Sequence, residues 1–408
     1  MPTFQIEHAC PQCGAPAQLE ETDRLIACPF CRVRSFLLTR DYFRFVLPAK
    51  TPSGKELFYV PYWRFKGVLF FTTPAGNEHK FVDISQCAAD TPGVPRTLGL
   101  RAQAMKLKFA APDMEGHYIS PSTSFADTFK AFQNRFSQGL PRPILCSAHI
   151  GESMGMLYSP FYAQDRLYDA VLDQPVAPLS EGFPHDGYQG AKPDWKAHFM
   201  AALCPDCGWD LEGERDALVL HCRNCKSAWY PSRERLTRVE SSCLEGAEQG
   251  SLFLPFWQVS CDISEVTLKN YADLITLANL PRVAEKSFEE REFRFWTPAF
   301  KLRAPAFLRI AESLTLIQAQ PLLAPSLPPG RHHPVTLPVE EACESLKIVI
   351  AGFLKPRHML VDILPRITIH PTQFRLAYLP FNEDQHDYFQ PHTHVAVNKN
   401  LLSLSRNL

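Results

Sequence analysis

Eight of the thirteen cysteines fall into four Cys-x-x-Cys pairs, the arrangement most able to bind a metal in this sequence. In each half of the chain, two pairs are separated by fourteen residues. A Cys-x-x-Cys pair folds into a tight knuckle, and two knuckles can complete a tetrahedral shell of four sulfurs. The predicted metal ligands are Cys10, Cys13, Cys28 and Cys31 in the first tetrad, and Cys204, Cys207, Cys222 and Cys225 in the second.

Short apolar segments between the two pairs of each tetrad indicate a β-hairpin that brings the knuckles together. They lie at 17–19, 24–26, 210–211 and 217–220. Gly14 and Gly208 directly follow the first pairs, where a left-handed backbone near sulfur favours glycine. This layout resembles the zinc-ribbon superfamily over about residues 8–36 and 202–230. The resemblance implies a structural metal ion in each tetrad and a small module of a kind that recognises nucleic acid or protein.

The ion predicted at each tetrad is Zn²⁺, two per chain. Soft thiolates suit zinc, and a filled tetrahedral shell leaves no open position for a substrate. Two alternatives use the same residues: an iron site held by four thiolates, and a redox-active dithiol in a Cys-x-x-Cys pair. Paired motifs at ribbon spacing favour structural zinc over both.

The sequence contains an internal repeat. An offset of 194 residues relates Cys10 to Cys204, and also Val-Pro-Tyr-Trp at 60–63 to Leu-Pro-Phe-Trp at 254–257. Lys-Leu-Lys at 106–108 matches Lys-Leu-Arg at 301–303 with an offset of 195. More loosely, Leu-Tyr-Ser-Pro-Phe at 157–161 resembles Ala-Tyr-Leu-Pro-Phe at 377–381. Ordered matches of this kind predict two copies of one unit, a ribbon followed by a larger domain.

Outside the ribbons the pattern is mainly that of β-structure. Predicted strands cover 57–72, 80–84, 104–110, 252–263, 293–303, 360–369 and 374–381, with turns at 74–77 and 370–373. Predicted helices cover 124–136, with Ser124 as the N-cap, and 338–354, with Pro338 in its first turn. We therefore predict an α+β fold, a tandem duplication in which each four-cysteine zinc ribbon precedes a mainly antiparallel β domain with one or two helices.

The predicted domain organisation has five segments. They are a first ribbon at 1–36, a β-rich α+β domain at 37–175, a linker at 176–199, a second ribbon at 200–232, and a second β-rich domain at 233–408. The linker is proline-rich and polar. A second proline-rich segment, 321–338, is predicted to be a long surface loop.

Composition and charge limit the class of protein. Of 408 residues, 45% are hydrophobic and 21% charged, which is enough to build ordinary cores. The 42 Lys and Arg residues against 43 Asp and Glu argue against a dedicated duplex-DNA binder, which normally carries excess positive charge. No secretory leader or membrane-spanning apolar run is recognisable. With the paired metal-type cysteines, this predicts a soluble cytoplasmic protein.

Two motifs could serve a function other than metal binding. The Pro-Tyr-Trp and Pro-Phe-Trp segments could stack nucleic-acid bases if they were exposed, but aromatic residues in strands more commonly fill a core. The Gly-Glu-Ser-Met-Gly segment at 151–155 matches the pattern of a serine nucleophile elbow. Pro160 would stop the helix that such an elbow needs, so we expect a turn bounded by glycines around Ser153.

The remaining candidates are weaker. His386, His392 and His394 could form part of a metal site, but they lack a defined set of ligands and are expected in a solvated loop. The five cysteines outside the tetrads are expected to be small buried apolar residues. They are Cys87, Cys146, Cys243, Cys261 and Cys343.

The sequence assigns no catalytic residue and no bound organic cofactor. It contains no P-loop, no dinucleotide-binding glycine motif and no His-Glu-x-x-His motif. We therefore predict a zinc-binding, non-enzymatic interaction protein, a cytoplasmic adaptor or assembly factor with a protein partner. One alternative is a protein that binds single-stranded DNA or RNA through ribbons and exposed aromatic residues. The other is an enzyme whose active site is not visible in the sequence.

Overall fold

The computed structural model divides the chain into two units that alternate along the sequence. Unit 1 contains Met1–Lys66, Val82–Leu140 and Glu152–Ala201, and unit 2 contains Gly67–Phe81, Pro141–Gly151 and Ala202–Leu408. The structure describes residues 5–38, 41–50, 54–99, 106–179, 192–193, 195–232, 235–244, 248, 250–283, 285–318, 323–325 and 327–405. Most of the predicted linker therefore lies outside the described residues, and the five-segment division stays a prediction.

The first half of the chain is built mainly of strands. Its elements are β1 (Gln5–Ala9), β2 (Pro16–Glu20), β3 (Leu25–Ala27), β4 (Arg34–Leu38), β5 (Phe43–Val46), β6 (Phe58–Thr73), β7 (Gly76–Cys87), β8 (Lys106–Phe109), β9 (His117–Tyr118), helix α1 (Phe125–Ser137), β10 (Cys146–Ala163), β11 (Arg166–Asp169), β12 (Gln174–Pro178) and β13 (His198–Ala201). One sheet has the order β12-β11-β10-β5-β8-β1-β2, with β6 paired to β7, β9 and β10. A three-stranded sheet has the order β13-β4-β3.

The second half carries more helices. Its elements are β14 (Leu220–Cys222), β15 (Ser227–Ser232), β16 (Arg235–Val239), β17 (Ser241–Leu244), β18 (Leu252–Ile263), α2 (Tyr271–Leu277), α3 (Lys286–Glu289), β19 (Phe295–Pro298), α4 (Ala304–Ile317), β20 (Leu323–Ala324), α5 (Val339–Phe353), α6 (His358–Asp362), β21 (Ile369–Glu383), β22 (Asp387–Phe389), β23 (Ala396–Asn398) and α7 (Lys399–Ser403). The main sheet has the order β19-β18-β21-β17-β20. Most strand pairs are antiparallel, so the predicted α+β class is confirmed.

The two halves share an order of paired strands. In the first, β10 pairs with β6 and runs parallel to β5, with Tyr158 opposite Val46. In the second, β21 pairs with β18 and runs parallel to β17, with Tyr378 opposite Cys243. The strand that follows, β11 or β22, then returns antiparallel on β10 or β21. This is the order that a duplicated chain would produce.

The two predicted helices form where their caps indicate. Helix α1 begins after Ser124, whose side chain accepts a hydrogen bond from the N–H of Asp127 and so satisfies one of the free amides of the first turn. Phe125 and Phe129 of α1 stack with ring centroids 5.5 Å apart, and Phe129 also contacts Phe65 of β6. Helix α5 begins after Pro338, which fits a position that needs no amide donor.

Three segments differ from the prediction. Residues 360–369, predicted as a strand, contain the end of α6 and a 3-10 turn at Leu364–Arg366, because Pro365 fits the start of a helical turn. Residues 293–303 form only the short strand β19 before α4 begins. The predicted turn at 370–373 lies inside β21, where Pro371 pairs with Cys261 beside a register shift. A bulge accommodates a proline that cannot donate to the ladder.

The proline-rich segment at 321–338 is only partly a surface loop. Near its C-terminal end, Val335, Thr336 and Leu337 are buried. Leu218 donates its backbone N–H to the carbonyl of Val335 over 2.7 Å. The loop therefore closes one side of the unit 2 core and leads directly into α5.

Candidate metal centres

The first cysteine tetrad lies in unit 1 at the ends of two short hairpin arms. Cys10 and Cys13 follow β1, and Cys28 and Cys31 lie between β3 and β4. The Sγ atoms of Cys10 and Cys31 are 3.8 Å apart, and those of Cys13 and Cys28 are 3.7 Å apart. The predicted ligands of this tetrad are therefore brought together.

The second tetrad lies in unit 2 and has nearly the same geometry. Cys204 and Cys207 lie between Leu203 and Asp210, which form an antiparallel bridge, and Cys222 ends β14. The Sγ atoms of Cys204 and Cys225 are 3.5 Å apart, and those of Cys207 and Cys222 are 3.4 Å apart. Among the described residues these two tetrads are the groups whose ligand atoms all lie within 4.8 Å of one another.

The sulfur separations fit a tetrahedral metal site. A Zn–S distance of about 2.3 Å places the sulfurs of an ideal tetrahedron about 3.8 Å apart. A disulfide would require about 2.05 Å, and all eight cysteines are free thiols. Both tetrads show the same burial along the chain: a buried, an exposed, a buried and a half-buried cysteine. Both could therefore hold one metal ion each.

The knuckle backbone follows the prediction for glycine. Gly14 and Gly208 have φ of 74° and 71°, and no atom would contact an added Cβ, so the conformation alone favours glycine. Their amides donate to the carbonyls of Cys10 and Cys204 over 2.9 and 2.8 Å. Arg32 and Lys226, again 194 residues apart, also have positive φ. The two ribbons thus repeat the same backbone turns.

Hydrogen bonding and burial give the thiols of the tetrads different pKa values. The N–H groups of Cys31 and Phe30 lower the pKa of Cys28 to about 6. Burial raises the pKa of Cys222 to about 12. Crowded thiols resist simultaneous ionisation, and a divalent cation at the centre would allow all four to be thiolates. The electrostatics therefore favour occupation of the tetrads by a cation.

The second ribbon also places side-chain donors against its sulfurs, which the sequence reasoning missed. Ser227, only 2% exposed, has its Oγ 2.9 Å from Sγ of Cys225. Trp229 donates its indole N–H to the same Oγ over 2.7 Å. The side chain of Asn224, together with the N–H of Trp209, lowers the pKa of Cys207 to about 6.

The paired aromatic motifs belong to the cores and are not stacking platforms. Trp63 is 2% exposed and Trp257 1% exposed. The indole N–H of Trp63 donates to the carbonyl of Thr123 over 3.0 Å, and that of Trp257 to the carbonyl of Leu337 over 2.9 Å. Each acceptor lies two residues before a helix, α1 or α5. The core interpretation is therefore confirmed, and each indole fixes the start of a helix.

Ser153 does not lie in a nucleophile elbow. The segment 151–155 is inside the long strand β10 rather than in a turn, so the expected glycine-bounded turn is wrong. Gly151 still has a positive φ of 70°, which explains the glycine. Ser153 donates from Oγ to Oε1 of Glu21 over 3.0 Å, and a carboxylate in that position orients the serine within unit 1.

Glu21 belongs to a buried charge cluster in unit 1. Arg64 donates from Nη1 to Oε1 of Glu21 over 2.7 Å, and its Nε lies 3.3 Å from Oδ1 of Asp83. The side chains of Arg64, Glu21 and Asp83 are 6%, 7% and 11% exposed. The Arg64 guanidinium thus contacts both carboxylates, and Ser153 supplies a further donor to Glu21.

Two sets of histidines bear on the candidate sites. His386, His392 and His394 are not part of any metal-type group among the described residues. His221, beside Cys222, is buried, with Nδ1 3.0 Å from Nε2 of His332 and Nε2 2.6 Å from Oη of Tyr378. This bridge joins the second ribbon to β21 within unit 2, and the sequence reasoning did not find it.

The prediction that the five cysteines outside the tetrads are buried is confirmed only in part. Cys243 is buried and the other four are half-buried. Burial raises the pKa of Cys261 to about 12 and that of Cys343 to about 11. Burial also raises the pKa of Cys87 and Cys146. Thiols that stay protonated near neutral pH are poor nucleophiles, so none of these four is activated for catalysis.

Comparison of the chain with protein-family models, with curated proteins and with solved structures finds no match. The ribbon assignment therefore depends on the cysteine spacing and the geometry of the two tetrads. The longest described helix, α5, has 15 residues, and no described helix is long and apolar enough to cross a membrane.

Proposed function

We propose that this chain is a zinc-stabilised, non-enzymatic interaction protein with two structural Zn²⁺ ions. Four sulfurs at tetrahedral separations support zinc, because thiolates are soft ligands and four of them complete its tetrahedral coordination. Cysteines paired at metal-site spacing are typical of proteins in a reducing compartment, which supports a cytoplasmic location. The repeated order of ribbon, parallel strand pair and indole-fixed helix supports a tandem duplication of the unit.

The observation that carries the proposal is an exposed tryptophan directly after the first knuckle of the second ribbon. Trp209 is 58% exposed and directly follows Cys207 and Gly208. Its carbonyl accepts a hydrogen bond from the N–H of Cys204 over 2.8 Å, so its backbone is fixed by the metal knuckle. Tryptophan is enriched among residues that dominate binding energy, and a fixed backbone loses little entropy on binding. Leu203, 47% exposed, lies on the same hairpin.

The charges around this hairpin favour a protein partner over nucleic acid. Arg223 is paired with Glu212 at 2.6 Å, and Arg238 with Asp206 at 3.3 Å. Arginines that already pair with carboxylates contribute less to phosphate binding. The alternative that relies on exposed Pro-x-Trp aromatics loses its basis, because both tryptophans are buried.

The partner surface can be tested by site-specific photocrosslinking. A photoreactive phenylalanine analogue placed at 209 should capture one protein, and the same analogue at the exposed residue Val283 should not. With that protein purified, Trp209→Ala should weaken binding about 30-fold, equivalent to about 2 kcal/mol, and Val283→Ala should have little effect. Equal affinities for the two variants would contradict the proposal. Single-stranded RNA binding that Trp209→Ala abolishes would establish the nucleic-acid alternative instead.

A further inference from the structure

The two ribbons match in backbone and burial but differ in what surrounds their sulfurs. At positions 194 residues apart, the first ribbon has Phe30 where the second has Asn224, and Val33 where the second has Ser227. Asn224 and Ser227 both contact sulfur through polar atoms. Phe30 and Val33 have no polar side-chain atom that could do so. The comparison isolates two side-chain donors as the difference between otherwise similar sites.

The hydrogen-bond direction at Ser227 is determined by Trp229. An indole N–H can only donate, so the Ser227 oxygen accepts from Trp229 and keeps its own proton for another acceptor. A metal-bound cysteine is a thiolate and carries no proton. The Ser227 hydroxyl therefore donates to Sγ of Cys225, 2.9 Å away. Its Oγ also lies 3.9 Å from Sγ of Cys204.

Hydrogen bonds of this kind matter because four thiolates and one Zn²⁺ leave a net charge of −2. Donors directed at the sulfurs stabilise that charge where burial would otherwise penalise it. In both ribbons the backbone supplies donors, but only the second adds side chains at these two positions.

We propose that Ser227, oriented by Trp229 and assisted by Asn224, stabilises the metal-bound thiolates of the second ribbon, so that this ribbon retains its ion longer than the first. Ser227 acts on the metal through Cys225 and is a positioning residue. The first ribbon is then the one that loses its ion first to a chelator. This inference rests on the zinc occupancy proposed above but not on the protein partner.

The test measures zinc release from the full-length zinc-loaded protein to a coloured chelator. Cys13→Ser leaves the second ribbon as the source of the signal, and Cys207→Ser leaves the first. The second ribbon should release zinc about 10-fold more slowly, the effect typical of outer partners of metal ligands. Equal rates, or faster release from the second ribbon, would overturn the proposal.

A matched pair of variants then isolates the hydroxyl. Both variants are made in the Cys13→Ser background. Ser227→Val introduces the residue that the first ribbon has at this position, and Ser227→Thr introduces a side chain of the same shape as valine that keeps the hydroxyl. Release should accelerate about 10-fold in Ser227→Val and stay near the parent rate in Ser227→Thr. Equal acceleration in both variants would show that packing, not hydrogen bonding, is responsible.

Cobalt substitution gives a readout that a purely structural role would not move. Loss of a hydrogen bond raises the energy of the sulfur lone pair, so the thiolate-to-Co²⁺ charge-transfer band should shift to longer wavelength in Ser227→Val but not in Ser227→Thr. If Ser227→Val fails to fold, the exposed Asn224→Leu provides the second variant, with an expected several-fold acceleration. An unchanged rate there and an unchanged cobalt band would refute the inference. Absence of bound metal in the parent protein would refute the zinc proposal as well, whereas failure of partner capture would affect only the partner.

Discussion

The buried charge cluster of unit 1 allows a quantitative prediction with opposite roles for its members. Arg64 is the cation between the carboxylates of Glu21 and Asp83, and all three side chains are nearly inaccessible to water. Removing Arg64 takes one positive charge away from both buried carboxylates at once. Removing one of the two negative charges leaves Arg64 paired with the other.

The magnitudes follow from that imbalance. Arg64→Met should destabilise unit 1 by about 3–5 kcal/mol, the usual effect of breaking a buried ion pair from one side. Glu21→Gln should cost only about 1 kcal/mol, because Asp83 still balances Arg64 and the amide oxygen can still accept its hydrogen bond. In the double variant Arg64→Met/Glu21→Gln, one carboxylate no longer faces the other. The double variant should therefore be destabilised by about 2 kcal/mol less than Arg64→Met alone.

Amide hydrogen exchange of β6 and β7 is the appropriate assay, because it reports the free energy of local opening around the cluster rather than of the whole chain. Asp113→Asn is a suitable control, since this carboxylate is an exposed loop residue. A Glu21→Gln cost as large as that of Arg64→Met would refute the charge-balance reasoning. So would a double variant whose cost equals the sum of the single costs.

Three further predictions concern both units. Cys13→Ser and Cys207→Ser should each remove one of two bound zinc ions, measured by native mass spectrometry, and lower amide protection only in the affected ribbon. Burial lowers the pKa of His149 to about 4. The neutral ring therefore stabilises the fold fully above pH 6.5, and this contribution, roughly 3 kcal/mol at most, is lost as the pH falls from 6.5 to 4. In His149→Gln, the denaturant concentration at the unfolding midpoint should therefore vary less between pH 6.5 and pH 4 than it does in the parent protein. Trp63→Phe and Trp257→Phe should each cost about 2 kcal/mol and increase amide exchange at the start of α1 or α5, respectively.

The features predicted well from the sequence are those encoded by neighbouring residues. Ligand spacing identified both tetrads, and Gly14 and Gly208 adopt the left-handed backbone expected of them. Strand β18 has the predicted bounds, and α1 and α5 lie within one residue of prediction. Caps and alternating apolar residues are local signals, and no tertiary contact opposes them there.

The failures occur where tertiary contacts decide. Pro371 looked like a turn residue, but pairing with β18, which accommodates a bulge in β21 beside Pro371, keeps it in a strand. Glu21 and Ser153 are 132 residues apart, so no sequence window could pair them. The Ser227 contact had a detectable signal: the offset of 194 residues that relates the ribbons aligns Ser227 with Val33. At aligned positions beside a ligand, a polar residue in one ribbon and an apolar residue in the other indicate different hydrogen bonding to sulfur.

The indole bonds that fix the two helices have a consequence for how much chain each half can hold between strand and helix. The bond of Trp63 closes a loop of 60 residues and that of Trp257 a loop of 80 residues. Loop-closure entropy grows only with the logarithm of length, so the extra 20 residues cost about 0.3 kcal/mol. The second loop contains α2, α3, β19 and α4, whereas the first contains no helix among its described residues. Once the indole contact exists, additional residues can be inserted between the strand and the helix at almost no cost in loop-closure entropy. The inserted residues can then form packing contacts of their own.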